Sequence, residues 1–172
     1  MKKILLVGYM GSGKSVVGKL LAQQLNIAYY DLDDLLENHF QMSISEIFEQ
    51  KGEIFFRKME HQIFKELISN TQIFVLSLGG GTPCYANNHL LFSEPNVISI
   101  YLNASINTLQ DRLFLERKSR PLLAGLVNEE FKEYIAKHLF ERSYFYNKAT
   151  FKISVNSKTP TEITSEILEV LT

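Results

Sequence analysis

The segment from Ile4 to Leu25 constrains the fold of this chain more than any other. An uninterrupted apolar run, Ile4–Val7, leads into Gly8-Tyr9-Met10-Gly11-Ser12-Gly13-Lys14-Ser15, which fits the pattern G-x-x-x-x-G-K-[ST]. The residues that follow, Ser15–Leu25, carry apolar side chains at helical spacing. A buried strand, a glycine-rich turn and a helix N-terminus in this order form an anion site, because the backbone N–H groups of the turn point inward. The segment therefore predicts a β-strand, a phosphate-binding loop and a helix.

The loop also predicts its ligand. Its lysine, Lys14, is expected to reach the β- and γ-phosphates of a purine nucleoside triphosphate, most readily ATP, and the Ser15 hydroxyl is expected to ligate Mg²⁺. The acceptor of the phosphoryl group stays open at this point. Water would make the chain an ATPase or GTPase, whereas a small molecule would make it a kinase. The predicted ATP-binding residues of this segment are Gly11, Ser12, Gly13, Lys14, Ser15 and Val16.

Short strands and longer helices alternate along the rest of the chain. The predicted strands are Ile4–Val7, Ile27–Tyr30, Ile73–Leu78, Val97–Leu102 and Phe151–Val155. The predicted helices are Ser15–Leu25, a helix through Phe48 that Ser43 or Ser45 can cap, Glu53–Ile68, Ile106 to about Arg117, Phe131–Lys148 and Glu162–Leu171. Ser43 with Glu46 fits a capping box for the second of these helices. Such alternation is typical of parallel βαβ units. With no linker in 172 residues, we expect one domain over residues 1–172, a three-layer α/β/α sandwich with a five-stranded parallel sheet.

Composition excludes several classes of function. Eighteen Lys and Arg against nineteen Asp and Glu give a net charge of −1, which excludes a globally basic nucleic-acid binder. The single cysteine, Cys84, allows neither an internal disulfide nor a thiolate metal site. No stretch approaches the ~18 apolar residues of a membrane span. We therefore expect a cytoplasmic protein without a nucleic-acid or membrane partner, and a monomer by default of its small size.

Two carboxylates follow the second predicted strand. Asp31 and Asp33 lie two residues apart at the end of that strand, and its two-residue period places both carboxylates on the same side of the chain, at the sheet edge where ligands of α/β proteins bind. One could hold the hydration shell of Mg²⁺, and the other could accept a proton from an attacking hydroxyl. A cluster of acids at a helix N-terminus is an equally good interpretation, and Asp34 fits a capping role better than a catalytic one.

Three consecutive glycines and several arginines complete the candidate residues. Gly79-Gly80-Gly81 follows the third predicted strand, and its bare backbone could approach a polar ligand or simply form a flexible turn. Arg57 and Glu60 lie three residues apart on one predicted helix face and can pair, functionally or as a surface ion pair. Arg120 and Arg142 could grip a carboxylate or a phosphate in a bidentate way, or could be solvated surface charges.

Taken together, these motifs resemble the shikimate kinase family, in the nucleoside-monophosphate-kinase-like branch of P-loop proteins. The resemblance spans nearly the whole chain. It depends on Gly8–Ser15, Asp31-Leu32-Asp33, Gly52-Glu53, Phe56-Arg57, Glu60, Leu76–Gly81 and Arg120-Pro121-Leu122-Leu123. It implies that ATP, with Mg²⁺, phosphorylates the 3-hydroxyl of shikimate, a step in aromatic amino-acid biosynthesis.

The resemblance also implies a role for each acceptor-side residue. Asp33 would accept a hydrogen bond, and the proton, from the attacking hydroxyl. Arg57 and Arg142 would hold the shikimate carboxylate, and Glu60 would orient Arg57. The backbone N–H groups of Gly79, Gly80 and Gly81 would contact the substrate, and residues 33–60 would form the substrate-binding helices.

On the nucleotide side, the resemblance implies that Asp31 holds a Mg²⁺-bound water while Ser15 is a direct ligand. Arg120, from a lid over residues 118–128, would neutralise charge on the transferring phosphoryl group, and Arg112 would lie beside the adenine. Lys14, Asp33 and Arg120 would thus be the catalytic residues.

Two other functions stay open on the sequence alone. One is a related small-molecule kinase, such as a gluconate kinase, and the other is a nucleotide-binding module without catalysis. The triple glycine together with Arg57 argues against a nucleobase acceptor, which would need flat apolar walls. A pure binding module has no need of an acceptor-side base such as Asp33.

Overall fold

The computed structural model describes residues 2–116, 125 and 128–172. Within this part the chain forms five strands and seven α-helices. The strands are β1 (Lys3–Val7), β2 (Ala28–Asp31), β3 (Phe74–Ser77), β4 (Val97–Asn103) and β5 (Phe151–Ser154). The helices are α1 (Lys14–Leu25), α2 (Leu32–Phe40), α3 (Ile44–Lys51), α4 (Glu53–Ser69), α5 (Ile106–Glu116), α6 (Asn128–Tyr146) and α7 (Pro160–Leu171).

All five strands are parallel and form one sheet in the order β2-β3-β1-β4-β5. The register places Leu5 of β1 opposite Leu76 of β3 and Ser99 of β4. Every residue of β1 is buried, as expected for the central strand of a sheet covered on both faces. The predicted α/β fold with a five-stranded parallel sheet is confirmed.

Capping boxes fix where two of the helices begin. The Ser43 hydroxyl accepts a hydrogen bond from the backbone of Glu46, whose carboxylate accepts one from the backbone of Ser43, so α3 begins with the predicted capping box. Thr159 and Glu162 form a second capping box at the start of α7. Helix α7 therefore begins at Pro160, two residues earlier than its predicted start at Glu162.

One helix was missed in the sequence. The sequence indicates the end of a strand at residues 31–34, but Leu32–Phe40 forms α2, with Leu32 and Leu36 fully buried one turn apart. The strand passes directly into the helix with no intervening loop, so no turn residues mark the boundary. The interpretation of Asp33 as a strand residue is wrong, since it lies in the first turn of α2.

The aromatic stripe from Phe131 to Phe151, interpreted as core, belongs to the core only in part. Phe131 and Tyr146 of α6 are buried, whereas Phe140 is 82% and Tyr144 61% exposed. Helix α6 packs against α5 and against the segment that follows β3. Among the described residues, no helix has the length and apolar character to cross a membrane.

Candidate active site

The phosphate-binding loop turns between β1 and α1 as predicted. Gly11 and Gly13 adopt left-handed φ angles of 81° and 95°, which residues with a Cβ rarely adopt. The Lys14 ammonium donates to the carbonyls of Gly8 at 2.7 Å and Tyr9 at 3.1 Å, and so lies across the loop. The buried hydroxyl of Ser12 has no hydrogen-bond partner among the described atoms. A cation and an unpaired donor inside a glycine turn suit an anionic ligand.

A cleft of about 650 Å³ opens over this loop. Residues predicted to bind the nucleotide line this cleft, and so do some of the residues predicted to bind the acceptor. Its lining includes Gly11–Val16 of the loop, Asp31, Asp33, Gly79, Gly80, Arg112 and Pro160. The carboxyl ends of β1, β2 and β3 all open into it, as is usual for parallel α/β sheets.

Asp31 is the N-cap of α2, and this explains why the two aspartates lie together. Its Oδ1 accepts a hydrogen bond of 3.0 Å from the backbone N–H of Asp33, and its Oδ2 accepts one of 3.2 Å from the Ser15 hydroxyl. Both carboxylates line the cleft, as predicted, but through a helix cap and not through the period of a strand. Asp34 was expected to be the capping residue, and this is wrong, because Asp34 lies exposed in the first helical turn.

The Asp33 carboxyl lies in an environment that disfavours its charge. Burial raises its pKa from 3.8 to about 6, the carboxylates of Asp31 and Glu60 add to the shift, and Lys14 opposes it. A methyl group built on Gly79 would lie 3.1 Å from Asp33 Oδ1. A side chain at this position would crowd the Asp33 carboxylate. A carboxyl group with a pKa near neutrality, facing a cleft, is suited to accept a proton.

The triple glycine places its backbone against three charged side chains in succession. Gly79 faces Asp33, and a methyl group on Gly80 would lie 3.1 Å from Nη1 of Arg142. A methyl group on Gly81 would lie 2.8 Å from Nη2 of Arg57. Glycines at these three positions therefore allow the charged side chains to approach the backbone closely.

Arg57 and Glu60 form an ion pair of 2.8 Å between Nη1 and Oε1. The Arg57 side chain is 17% and the Glu60 side chain 2% exposed. This is a partly buried pair and not the surface ion pair that the sequence left open. Arg57 Nε is also buried without a hydrogen-bond partner, so the guanidinium retains donor capacity.

Arg142 reaches the same segment from α6, and two tyrosines accompany it. Its guanidinium carbon lies 5.5 Å from the ring centre of Tyr9 in the phosphate-binding loop. The Tyr146 hydroxyl donates a 2.6 Å hydrogen bond to the Gly80 carbonyl, and burial raises the pKa of this phenol. Sequence reasoning missed both tyrosines, since an aromatic residue in a loop or a helix stripe carries no signal for such a contact.

Arg112 is fixed beside the loop and at the edge of the cleft. It donates to the carbonyls of Gly11 at 3.1 Å and Val155 at 3.4 Å. The side chains of Pro160 and Ile163 line the cleft next to it. Arg120 and nearly all of the predicted lid over residues 118–128 lie outside the described residues.

The donor set around Asp31 fits Mg²⁺. The Ser15 hydroxyl and one Asp31 carboxylate oxygen lie 3.2 Å apart at the cleft, and such oxygen donors are the ligands that Mg²⁺ prefers. Within the described part of the chain, no cluster of three or more His, Cys, Asp or Glu side chains could hold a metal ion. A magnesium ion here would therefore take most of its ligands from phosphate and water.

Fold and site together define the class of this protein, a P-loop kinase that phosphorylates a small molecule. Comparison with known sequences makes the assignment specific, because the sequence model of the family "Shikimate kinase" matches residues 10–172. The chain belongs to the shikimate kinase family.

Individual relatives agree along almost the whole chain. A shikimate kinase from Flavobacterium psychrophilum is 51% identical over 171 residues, which cover 99% of each chain. The crystal structure of shikimate kinase from Bacteroides thetaiotaomicron superposes with a TM-score of 0.90 at 30% identity, covering 99% of this chain and 98% of that one. Shikimate kinase from Acinetobacter baumannii in complex with shikimate gives a TM-score of 0.87 at 31% identity, covering 99% and 93%.

Proposed function

We propose that this chain transfers the γ-phosphoryl group of ATP to the 3-hydroxyl of shikimate, giving shikimate 3-phosphate and ADP. The observation that carries the proposal is the row of Asp33, Arg142 and Arg57 along Gly79–Gly81, beside the phosphate-binding loop. One carboxylate and two guanidinium groups match an acceptor that has hydroxyls at one end and a carboxylate at the other.

On the acceptor side, each residue has a distinct task. Arg57 and Arg142 bind the shikimate carboxylate, and Glu60 keeps the Arg57 guanidinium in orientation through the 2.8 Å ion pair. The backbone of Gly79–Gly81 contacts the ring hydroxyls. Asp33 accepts the hydrogen bond of the 3-hydroxyl and takes its proton as the oxygen attacks. Residues 33–60 are the substrate-binding helices of a single kinase domain.

On the nucleotide side, Gly11–Val16 bind the phosphates, and Lys14 leaves its two loop carbonyls to contact the β- and γ-phosphates. Ser15 would hold Mg²⁺ directly and Asp31 through a water molecule. When bound, the ion neutralises phosphate charge. Arg112 borders the adenine, and Arg120 contacts the transferring group from the lid.

Catalysis in this arrangement is positioning and charge neutralisation. Phosphoryl transfer requires the attacking and leaving oxygens in line and cationic groups around the equatorial oxygens. Asp33 orients the nucleophile, and the cationic groups at the phosphate-binding loop stabilise the charge that develops on the transferring phosphoryl group. The cytoplasmic location, the monomeric state and the lack of a nucleic-acid partner stay predictions from the sequence.

Release of ADP against a panel of acceptors tests the proposal. Shikimate, quinate, gluconate and nucleoside monophosphates are each offered with ATP and Mg²⁺, with a water-only reaction as the control. We expect shikimate to give the highest kcat/KM. Preference for any other acceptor, or ADP release without an acceptor, would contradict the proposed function.

A further inference from the structure

The segment directly after the triple glycine makes a contact with Arg57 that none of the roles proposed above involves. The guanidinium carbon of Arg57 lies over the Tyr85 ring, 3.9 Å from the ring centre. The ring is 39% exposed, so it covers one face of the cation without filling the core. A stacked guanidinium keeps its edge N–H groups available for ligands while its plane is held in place.

A second contact from the same segment acts on the edge of the cation. The Thr82 hydroxyl donates a 2.7 Å hydrogen bond to Oε2 of Glu60, whose other oxygen pairs with Arg57. Thr82 is 0% and Glu60 1% exposed. Because both carboxylate oxygens are engaged, Glu60 cannot rotate without losing a buried hydrogen bond. Thr82 therefore fixes Glu60, and through it the Nη1 edge of Arg57.

The turn that carries Tyr85 is itself tied to helix α4. Buried Asn88 donates 2.9 Å to the Thr82 carbonyl, and its Oδ1 lies 2.7 Å from Nδ1 of His61 on α4. The backbone N–H of Asn88 donates 2.9 Å to the Tyr85 carbonyl. The turn is closed by Ala86 and Asn87, which both adopt left-handed φ angles of 50° and 55°. Such a conformation is costly for alanine and persists only when the surroundings impose it.

We propose that Tyr85 and Thr82 are positioning residues of the acceptor site, which hold the face and the edge of the Arg57 guanidinium so that it is oriented before shikimate binds. This inference rests on the proposed function, because it assigns Arg57 the shikimate carboxylate. Neither residue is a catalytic residue, since both act through Arg57. The contribution is preorganisation, which improves affinity by removing the entropy cost of ordering the cation on binding.

Steady-state kinetics of paired variants test the Tyr85 contact. Tyr85→Leu removes the aromatic face while keeping apolar bulk, and we expect KM for shikimate to rise about tenfold, with KM for ATP unchanged. Tyr85→Phe keeps the ring and should retain the wild-type KM. Tyr144→Leu replaces another exposed aromatic residue and serves as the matched control without effect.

A second pair of variants tests the Thr82 contact. Thr82→Val keeps the shape but leaves Glu60 Oε2 unpaired, and we expect KM for shikimate to rise about tenfold. Thr82→Ser restores the donor and should restore KM. If Thr82→Val does not fold, the Tyr85 pair still decides the proposal.

Combining the Tyr85 and Arg57 substitutions distinguishes a positioning role of Tyr85 from a general contribution to the stability of the fold. In an Arg57→Lys background the planar cation is absent, so Tyr85→Leu should have little further effect on kcat/KM for shikimate. An undiminished Tyr85→Leu effect in that background would overturn the proposal, and so would a wild-type KM in Tyr85→Leu itself. Failure of wild-type protein to phosphorylate shikimate would instead contradict the proposed function, so the two failures are distinguishable.

Discussion

Asp33 combines its proposed catalytic role with a cost to folding. Its folded-state pKa, raised to about 6 by burial and neighbouring acids, lies above that of the unfolded chain. The folded protein therefore holds this proton more tightly, and stability falls as the pH rises from about 4 to 6. At neutral pH the full cost is present, so the ligand-free fold tolerates the charge that the proposed role of Asp33 requires.

Asp33→Asn should separate these two properties. We expect turnover to fall by at least about a hundredfold, because the acceptor of the hydroxyl proton is lost, while binding of ATP is largely retained. At neutral pH and without ligands or metal, the same variant should unfold at a higher temperature, since about 1–3 kcal/mol of charge burial is relieved. Equal loss of turnover and nucleotide binding would show that Asp33 is structural.

Substitution of either arginine should weaken the binding of shikimate, but the two substitutions should differ in their effect on the stability of the fold. Arg57→Ala and Arg142→Ala are each expected to raise KM for shikimate by roughly a hundredfold, because a charged pair with the carboxylate is lost. Arg57→Ala should also lower stability by about 3 kcal/mol, since it leaves the buried Glu60 carboxylate without its cation. An unchanged KM in either variant would contradict its role in binding the carboxylate.

At the scale of single elements, local sequence rules succeed where the cause is local. The Ser43–Glu46 capping box and the phosphate-binding loop depend on residues within a few positions of each other, and both are present as predicted. Helix α2 was missed because its cap, Asp31, is also the last residue of β2. The exposure of Phe140 on α6 depends on which elements pack there, and no local pattern contains that information.

A cap substitution tests the local account of α3. Ser43→Ala should destabilise the fold by about 1 kcal/mol and leave kcat unchanged, because it removes the hydroxyl that accepts from Glu46. Ser45→Ala is the matched control, since Ser45 is an exposed serine inside the same helix and should have little effect. Chemical denaturation measures both. Equal destabilisation by the two changes would contradict the assigned cap.

At the scale of the whole molecule, the site depends on distant parts of the chain meeting at one sheet edge. The loop after β1, the start of α2, Arg57 on α4, the glycines after β3 and Arg142 on α6 all converge there. Residue types and the resemblance identified these candidates in advance. The stacking of Tyr85 on Arg57 and the Thr82 hydrogen bond were not predicted, because they depend on side-chain packing between a turn and a helix.

Ligands should stabilise the whole fold through two separate sites. ADP with Mg²⁺ and shikimate, each at about one hundred times its dissociation constant, should add about 2.7 kcal/mol apiece and raise the melting temperature. Chelating the metal should reduce the ADP-induced shift, and Arg57→Ala should remove most of the shikimate-induced shift while keeping that of ADP. Loss of both shifts in Arg57→Ala would argue against separate sites.

The position of the new phosphate on the product tests the central claim most directly. Shikimate and ATP are incubated with the enzyme and Mg²⁺, and the product is examined by phosphorus and proton NMR. The proposed function predicts a single phosphomonoester whose phosphorus couples to the proton on C3 of shikimate. Coupling to a proton on another ring carbon, or inorganic phosphate as the only product, would contradict the account.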